Sequence, residues 1–141
     1  MPEYARLYQE KHNRPLTYRD VTPIGRGQLK LEQIGRRQAR CLLVCDTDLL
    51  ETKVYSEAYY GRVPAWLLAA VPQHYADLYL LTDIDLPWLP DGIRDRGHER
   101  EAMHCRFLDE LTRRRLPFVL VSGPPDERLR QAVKAVDGLV C

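Results

Sequence analysis

The stretch DLYLLTDIDLPWLPDGIRD, residues 77–95, places a strand directly before a charged loop that contains two prolines. Residues 78–82 form a short apolar run between polar residues, which is typical of a strand buried on both faces. Pro87 and Pro90 then exclude regular structure. Because ligands of open α/β sheets bind at the carboxyl ends of the strands, the loop after this strand is the first candidate binding segment.

The side chains of this loop include hydrogen-bond acceptors, cations and one stacking ring: Asp83, Asp85, Trp88, Asp91, Arg94, Asp95 and Arg96. Arginine is suited to bidentate contacts with phosphate. The pattern predicts a lid, residues 86–97, that closes over a phosphorylated ligand and excludes water. The alternative is a solvated connection whose charges pair with one another, and charge density alone favours neither interpretation.

Strand and helix signals alternate along the rest of the chain. Further apolar runs predict strands at residues 41–45, CLLVC, and 117–122, PFVLVS. Periodicity and end signals predict helices at residues 3–12, 28–40, 49–60, 64–71, 97–115 and 125–136. Prolines and glycines between residues 13 and 27 predict mostly loop there. Strands separated by helices favour an α/β fold with a parallel sheet.

Length and composition limit the class of protein. A chain of 141 residues predicts a single domain, residues 1–141. The net charge of +1 argues against a nucleic-acid partner. No apolar run reaches membrane-spanning length and the first residues lack a signal-peptide core, so we expect a cytoplasmic protein without a membrane partner. The four cysteines form no C-x-x-C pair, which argues against a zinc site.

Acidic residues near two predicted element ends are candidates for chemistry. Asp46 directly follows the apolar run at residues 41–45, as does the Mg²⁺-binding acid of many nucleotide-binding α/β domains. The alternative is an ordinary strand end, in which Thr47 or Asp48 caps the next helix. Glu3 and Arg6 share a helix face, and the alternative for that pair is a surface ion pair.

Four segments carry a resemblance to a known family: EYAR at residues 3–6, CDTDLLETKVYSEAYYGRVP at 45–64, DLYLLTDIDLPWLPDGIRDRG at 77–97 and PFVLVSG at 117–123. In this order and spacing they resemble the NadR-type ribosylnicotinamide kinases, P-loop, AAA/NTPase-related domains that phosphorylate nicotinamide riboside with ATP. The resemblance implies a three-layer α/β/α fold with a parallel sheet of the P-loop kinase type. It covers nearly the whole chain.

The resemblance also implies catalytic roles. Asp46 resembles the Mg²⁺-associated acid of the family, and Glu3 resembles the carboxylate that serves as base for the ribose 5′-hydroxyl. Arg94 and Arg96 resemble lid arginines that reach the ATP phosphates, and Arg94 is the catalytic candidate of the two. Mg²⁺ and ATP, the latter as phosphoryl donor, are therefore the expected cofactors.

Substrate contacts are implied at five further positions. Asp48 and Lys53 resemble residues that contact the nucleoside. Tyr55 and Trp88 are candidates to sandwich the nicotinamide ring, a cation that favours aromatic faces. Asp91 is expected to orient the lid. From its position alone, helix packing is the favoured interpretation of Tyr55.

The chain departs from the family pattern at its start. EYAR begins at residue 3, and no G-x-x-x-x-G-K-[ST] motif occurs: Gly25-Arg26-Gly27 is followed by Gln28. We therefore expect a kinase-type sheet without its first strand and P-loop, which exposes an edge.

Two functional hypotheses follow. The first is ATP-dependent phosphorylation of nicotinamide riboside to nicotinamide mononucleotide in NAD salvage, by a truncated kinase domain. The second is a non-catalytic nucleoside- or nucleotide-binding module, or a remnant that forms a homo-oligomer by pairing its exposed sheet edge. A P-loop encoded upstream of Met1 would favour the first hypothesis.

Overall fold

The computed structural model describes residues 1–87 and 99–140, which fall into two compact units. The first unit spans Met1–Tyr75 and the second begins at Ala76. The helices of the first unit are α1 (Tyr4–His12), α2 (Tyr18–Gln38), α3 (Leu49–Tyr60) and α4 (Ala65–Ala70), followed by a 3-10 turn at Val71–Gln73. The described part of the second unit contains β1 (Tyr79–Thr82), α5 (Arg100–Arg113), β2 (Phe118–Val121) and α6 (Pro125–Val140).

Helix α2 begins ten residues before its predicted start, so the prediction of a loop over residues 13–27 is wrong for residues 18–27. The sequence signals that predicted a loop have another role. An added side chain at Gly25 would meet the Trp66 ring at 2.9 Å, and one at Gly27 would meet the Tyr4 ring at 2.0 Å. These glycines therefore permit close packing of aromatic rings on a helix.

A buried carboxylate stabilises the start of α2. Asp20 accepts hydrogen bonds from the Thr17 amide at 2.8 Å, from the Thr17 hydroxyl at 2.9 Å and from the Tyr8 hydroxyl at 3.0 Å. Arg14 binds both of its oxygens, at 2.7 and 2.8 Å. The Arg14 guanidinium and the Thr17 donors hold the pKa of the Asp20 carboxyl well below its usual range. This network joins the end of α1 to the start of α2.

The core of the first unit lies mainly between α2, α3 and α4. Its buried apolar side chains are Val21, Ile24, Leu49, Leu50, Val54, Leu67 and Val71. Helix α3 has its predicted bounds and ends before Gly61, whose φ of 64° is the left-handed conformation that glycine accommodates. The predictions of helices at residues 3–12, 49–60 and 64–71 are confirmed to within one residue at each end.

The strand predicted at residues 41–45 is absent from the described secondary structure, and this prediction is wrong. Leu42 and Val44 are 47% and 63% exposed instead of buried. However, the Met1 ammonium donates to the Val44 carbonyl at 2.6 Å, and the Asp46 amide donates to the Met1 carbonyl at 2.9 Å. Two such bonds about Cys45 are the pattern of one residue in a parallel ladder. A local apolar run predicts an extended chain but not its partner.

The second unit contains a small parallel sheet. Strands β1 and β2 pair in register from Tyr79 with Phe118 to Thr82 with Val121, and α6 packs against β2. The positions of both strands are confirmed, but β1 alternates between half-buried and exposed residues, so its predicted burial on both faces is wrong. Helices with a small parallel sheet agree with an α/β fold, and the three-layer arrangement stays a prediction.

Polar contacts join the carboxyl ends of β1 and β2. Arg128 forms an ion pair with Asp85 and donates to the carbonyls of Gly123 at 2.8 Å and Asp83 at 3.1 Å. The Gly123 amide donates to Asp85 at 2.5 Å, and this bond, with Arg128, lowers the pKa of the Asp85 carboxyl. Asp85 is therefore engaged within the protein, but its partner Arg128 lies on α6 and not in the loop.

No helix within the described ranges has the combination of length and apolar character that crossing a membrane requires.

Candidate functional site

Two of the predicted catalytic residues lie on segments that are joined by a single side chain. Gln28, in the middle of α2, accepts a hydrogen bond from the Tyr4 amide at 2.9 Å and donates one to the Thr47 carbonyl at 2.9 Å. Tyr4 directly follows Glu3, and Thr47 directly follows Asp46. The structure thus holds the start of α1 and the turn at residues 46–48 on the same side of α2.

The turn at residues 46–48 begins helix α3. The Asp48 carboxylate accepts the Glu51 amide at 2.9 Å, which is the helix cap that the alternative interpretation predicted. Thr47 has a φ of 75°, in the left-handed region, which is unusual for a β-branched residue. Asp46 is exposed. The turn therefore presents one exposed carboxylate and one that caps a helix, on either side of a strained residue.

Glu3 lies at the N-cap position of α1, and its carboxylate lies 3.8 Å from the Arg6 guanidinium. The ion pair that was the alternative interpretation is therefore present. It is a long contact in which both side chains keep access to solvent. Such a pair contributes about 0–1 kcal/mol to stability.

Lys53 and Tyr55 both lie on α3, and both side chains have partners within the protein. Lys53 is 4% exposed and forms an ion pair with Glu57 at 2.7 Å. The Tyr55 ring packs against that of Tyr59, with centroids 5.4 Å apart. Helix packing of Tyr55 agrees with the interpretation from its position alone.

The predicted lid lies almost entirely outside the described residues. Only Leu86 and Pro87 of residues 86–97 are described, and Leu86 accepts a hydrogen bond from Arg100 at 2.7 Å. Trp88, Asp91, Arg94 and Arg96 lie outside the described ranges, and their roles stay predictions.

A Mg²⁺ site made by the protein alone does not fit the described residues. Among residues 1–87 and 99–140, no group of three or more His, Cys, Asp or Glu side chains is arranged to hold a metal ion. Mg²⁺ that arrives with a nucleotide needs only one or two carboxylates, because phosphate oxygens and water supply its other ligands. The exposed Asp46 carboxylate fits this second arrangement.

Sequence reasoning missed Gln28 and Gly27, which contact the backbone amide and the ring of Tyr4 at the start of α1. A signal was present in the sequence. With Val21, Ile24, Gly25 and Glu32, Gln28 forms the buried stripe of α2. An amide in such a stripe must find buried partners. This signal was hidden because residues 13–27 were interpreted as a loop.

Comparison with known proteins gives two similar relatives. The chain is 27% identical to the "Trifunctional NAD biosynthesis/regulator protein NadR" of Salmonella typhimurium strain LT2, over 141 positions that cover 95% of this chain and 34% of the relative. It is 26% identical to the protein of the same name from Escherichia coli K12, with the same coverage. The chain thus spans about a third of the length of these relatives.

These similarities confirm the resemblance that four sequence segments indicated. A family model described as an AAA domain matches residues 1–128, so the segment with Glu3 and the turn at residues 46–48 both lie within the match. The chain belongs to this AAA domain family.

Proposed function

We propose that this domain serves the ATP-dependent phosphorylation of nicotinamide riboside to nicotinamide mononucleotide, with its nucleoside bound at Glu3 and Asp48 and the Mg²⁺ of ATP at Asp46. The observation that carries the proposal is the attachment of both carboxylate-bearing segments to Gln28. The names of the two relatives, which refer to NAD biosynthesis, support the choice of substrate.

The carboxylates suit this substrate in two ways. Ribose hydroxyls donate hydrogen bonds, and ionised carboxylates are acceptors only. The nicotinamide ring of the nucleoside is a cation, so an anionic site attracts it. Asp48 can cap α3 and also accept from a hydroxyl, because each carboxylate has about four lone-pair sites.

The reaction assigns Glu3 as general base. Its carboxylate takes the proton of the 5′-hydroxyl as that oxygen forms a bond to the γ-phosphorus of ATP. The bond between the γ-phosphorus and the β,γ-bridging oxygen breaks, and ADP leaves. Mg²⁺ bound with ATP would contact Asp46 and would neutralise part of the negative charge of the phosphates. In this proposal Arg94 and Arg96 bind the phosphates, and Trp88, Tyr55, Lys53 and Asp91 keep the roles that the resemblance implies.

Isothermal titration of nicotinamide riboside into the 141-residue chain tests the binding part of this proposal. We expect saturable binding that is weakened about 10-fold or more by Glu3→Gln and by Asp48→Asn. Glu10→Gln, an exposed acid on the same helix α1, is the matched control and should leave the affinity unchanged. Equal affinities in all four proteins, or no binding to the wild type, would contradict the proposed site.

A further inference from the structure

Gln28 is a buried polar residue whose two hydrogen bonds both go to backbone atoms of the candidate site. It is 1% exposed. Its Oε1 atom accepts a hydrogen bond from the Tyr4 backbone amide at 2.9 Å, and its Nε2 atom donates one to the Thr47 carbonyl at 2.9 Å. The amide group is therefore used at both ends. Neither of its partners lies on α2.

A helix contact alone does not require this arrangement. Burying an amide costs free energy that its hydrogen bonds only offset, and an apolar side chain of the same size packs at lower cost. The α1–α2 contact already has an apolar component, since the ring of Tyr4 lies over Gly27. The backbone bonds of Met1 to Val44 and Asp46 already join the two segments ahead of Glu3. Gln28 adds a second connection, which fixes the distance between the backbone after Glu3 and the backbone between Asp46 and Asp48.

The turn that Gln28 contacts is strained. Thr47, with a φ of 75°, has a conformation that costs a β-branched residue free energy and persists only where surrounding contacts impose it. The Gln28 bond to the Thr47 carbonyl is one such contact. Asp46 and Asp48 flank this residue, so the direction of the Thr47 peptide sets the direction in which both side chains leave the backbone.

We propose that Gln28 is a positioning residue for the nucleoside site, which holds Glu3 in fixed register with the carboxylates of Asp46 and Asp48. This inference rests on the proposed function, because a ribose is recognised by the spacing of its hydroxyls. Acceptors at a fixed spacing bind such a ligand without first being ordered. Gln28 acts through the backbone and does not touch the substrate.

The first test requires no ligand. Amide hydrogen exchange is measured in the wild type, in Gln28→Met, which keeps the length without the polar atoms, and in Gln28→Asn, which keeps the amide but is shorter. We expect faster exchange at Tyr4 and through residues 46–48, while the amides of α4 keep their protection. Gln33→Met, an exposed position on the same helix, is the matched control.

The second test is a double-mutant cycle on the affinity for nicotinamide riboside, measured under conditions in which every variant is fully folded. We expect Gln28→Met to weaken binding about 10-fold, as is usual for residues that orient ligand-binding groups. The same change in an Asp48→Asn background should have a smaller effect, because the carboxylate of Asp48, one of the groups that Gln28 positions, is already removed. Asparagine remains a good helix cap, so the background should keep α3.

The outcomes separate the two proposals. Local loss of protection with coupled affinities supports the positioning role. Unchanged exchange at Tyr4 and residues 46–48, loss of protection throughout the first unit, or independent effects on affinity would overturn it. If the wild type does not bind nicotinamide riboside, the proposed function fails. In that case the exchange result by itself decides the positioning role. The role is supported only if the loss of protection is confined to Tyr4 and residues 46–48.

Discussion

Thr47 shows how a single residue can combine a cost in stability with a role in a site. Its left-handed backbone is imposed by its neighbours, with the Gln28 amide on its carbonyl and the capped start of α3 immediately after it. Asparagine tolerates this conformation better than threonine does. We therefore expect threonine at position 47 to lower the stability of the protein relative to asparagine.

At the residue scale, we expect Thr47→Asn to raise the free energy of unfolding by about 1 kcal/mol, because it relieves part of the left-handed strain. Urea denaturation followed by circular dichroism measures this change. Thr52→Asn on α3 is the control and should not stabilise, since residue 52 lies within a regular helix. A loss of stability in Thr47→Asn would show that the threonine side chain outweighs the strain.

Asp20 sets a pH dependence at the same scale. Folding lowers the pKa of its carboxyl, so the stabilisation is complete above the unfolded pKa of about 3.9 and is lost as the pH falls further toward the folded value. We expect Asp20→Asn to cost about 1.5–3 kcal/mol near neutral pH and to reduce the loss of stability on acidification. Urea denaturation near pH 7 and near pH 3 checks both effects, with the exposed Asp137→Asn as control. An unchanged acid dependence would exclude Asp20 as its source.

At the scale of elements, the joint between α1 and α2 depends on a missing side chain. The Tyr4 ring occupies the space where residue 27 would carry a Cβ atom, 2.0 Å from the nearest ring carbon. The ring must move if that atom is present, because contacts under 3.0 Å are not found in real structures. The position of Glu3, one residue before Tyr4, should change with it.

We therefore expect Gly27→Ala to lower the free energy of unfolding of the first unit by about 1–3 kcal/mol, as overpacking does. It should also weaken nicotinamide riboside binding. Gly138→Ala is the matched control, because nothing lies within 4 Å of the added atom and alanine stabilises helix interiors by about 0.5–1 kcal/mol. Thermal unfolding of both variants checks the contrast. An increase in stability in Gly27→Ala would mean that α1 does not pack on α2 as described.

The elements also show what a single sequence can predict. Helix α3 was predicted with its bounds because its cap Asp48, its length and its Gly61 stop are local signals. Strands β1 and β2 were placed because short apolar runs between turn signals are also local. The start of α2 was missed because Gly25 and Gly27 were interpreted as loop signals, whereas they make room for the rings of Trp66 and Tyr4, which are distant in the sequence. Local patterns do not encode partners that are 19 to 45 positions apart in the sequence. Such partners are found in the Gln28 contacts, in the bonds of Met1 to Val44 and Asp46, and in the Asp85–Arg128 ion pair.

At the scale of the whole molecule, the 141 residues contain the candidate nucleoside carboxylates but no sequence of the P-loop pattern. Phosphoryl transfer depends mainly on positioning and on neutralising phosphate charge, and the P-loop supplies much of both. Binding of the nucleoside and transfer of phosphate should therefore be separable in this chain.

We expect the purified 141-residue chain to bind nicotinamide riboside but to show very low or no ATP-dependent turnover. A coupled assay for ADP, with the titration described above on the same preparation, measures both properties. Robust turnover would show that other donors replace the P-loop.

In a version that carries a P-loop ahead of residue 1, Arg94→Ala should lower turnover with a loss of about 2.7–4 kcal/mol of transition-state stabilisation.

The paired backbone of Met1 has a practical consequence for such experiments. Its nitrogen is bonded to Val44, in parallel orientation to the chain that leads into the turn at residues 46–48. A purification tag fused ahead of Met1 would begin at that nitrogen, and its first residues would be directed along residues 41–44, beside the exposed thiols of Cys41 and Cys45. Tags placed after residue 141 avoid this, so comparing the two tagged forms should precede any titration.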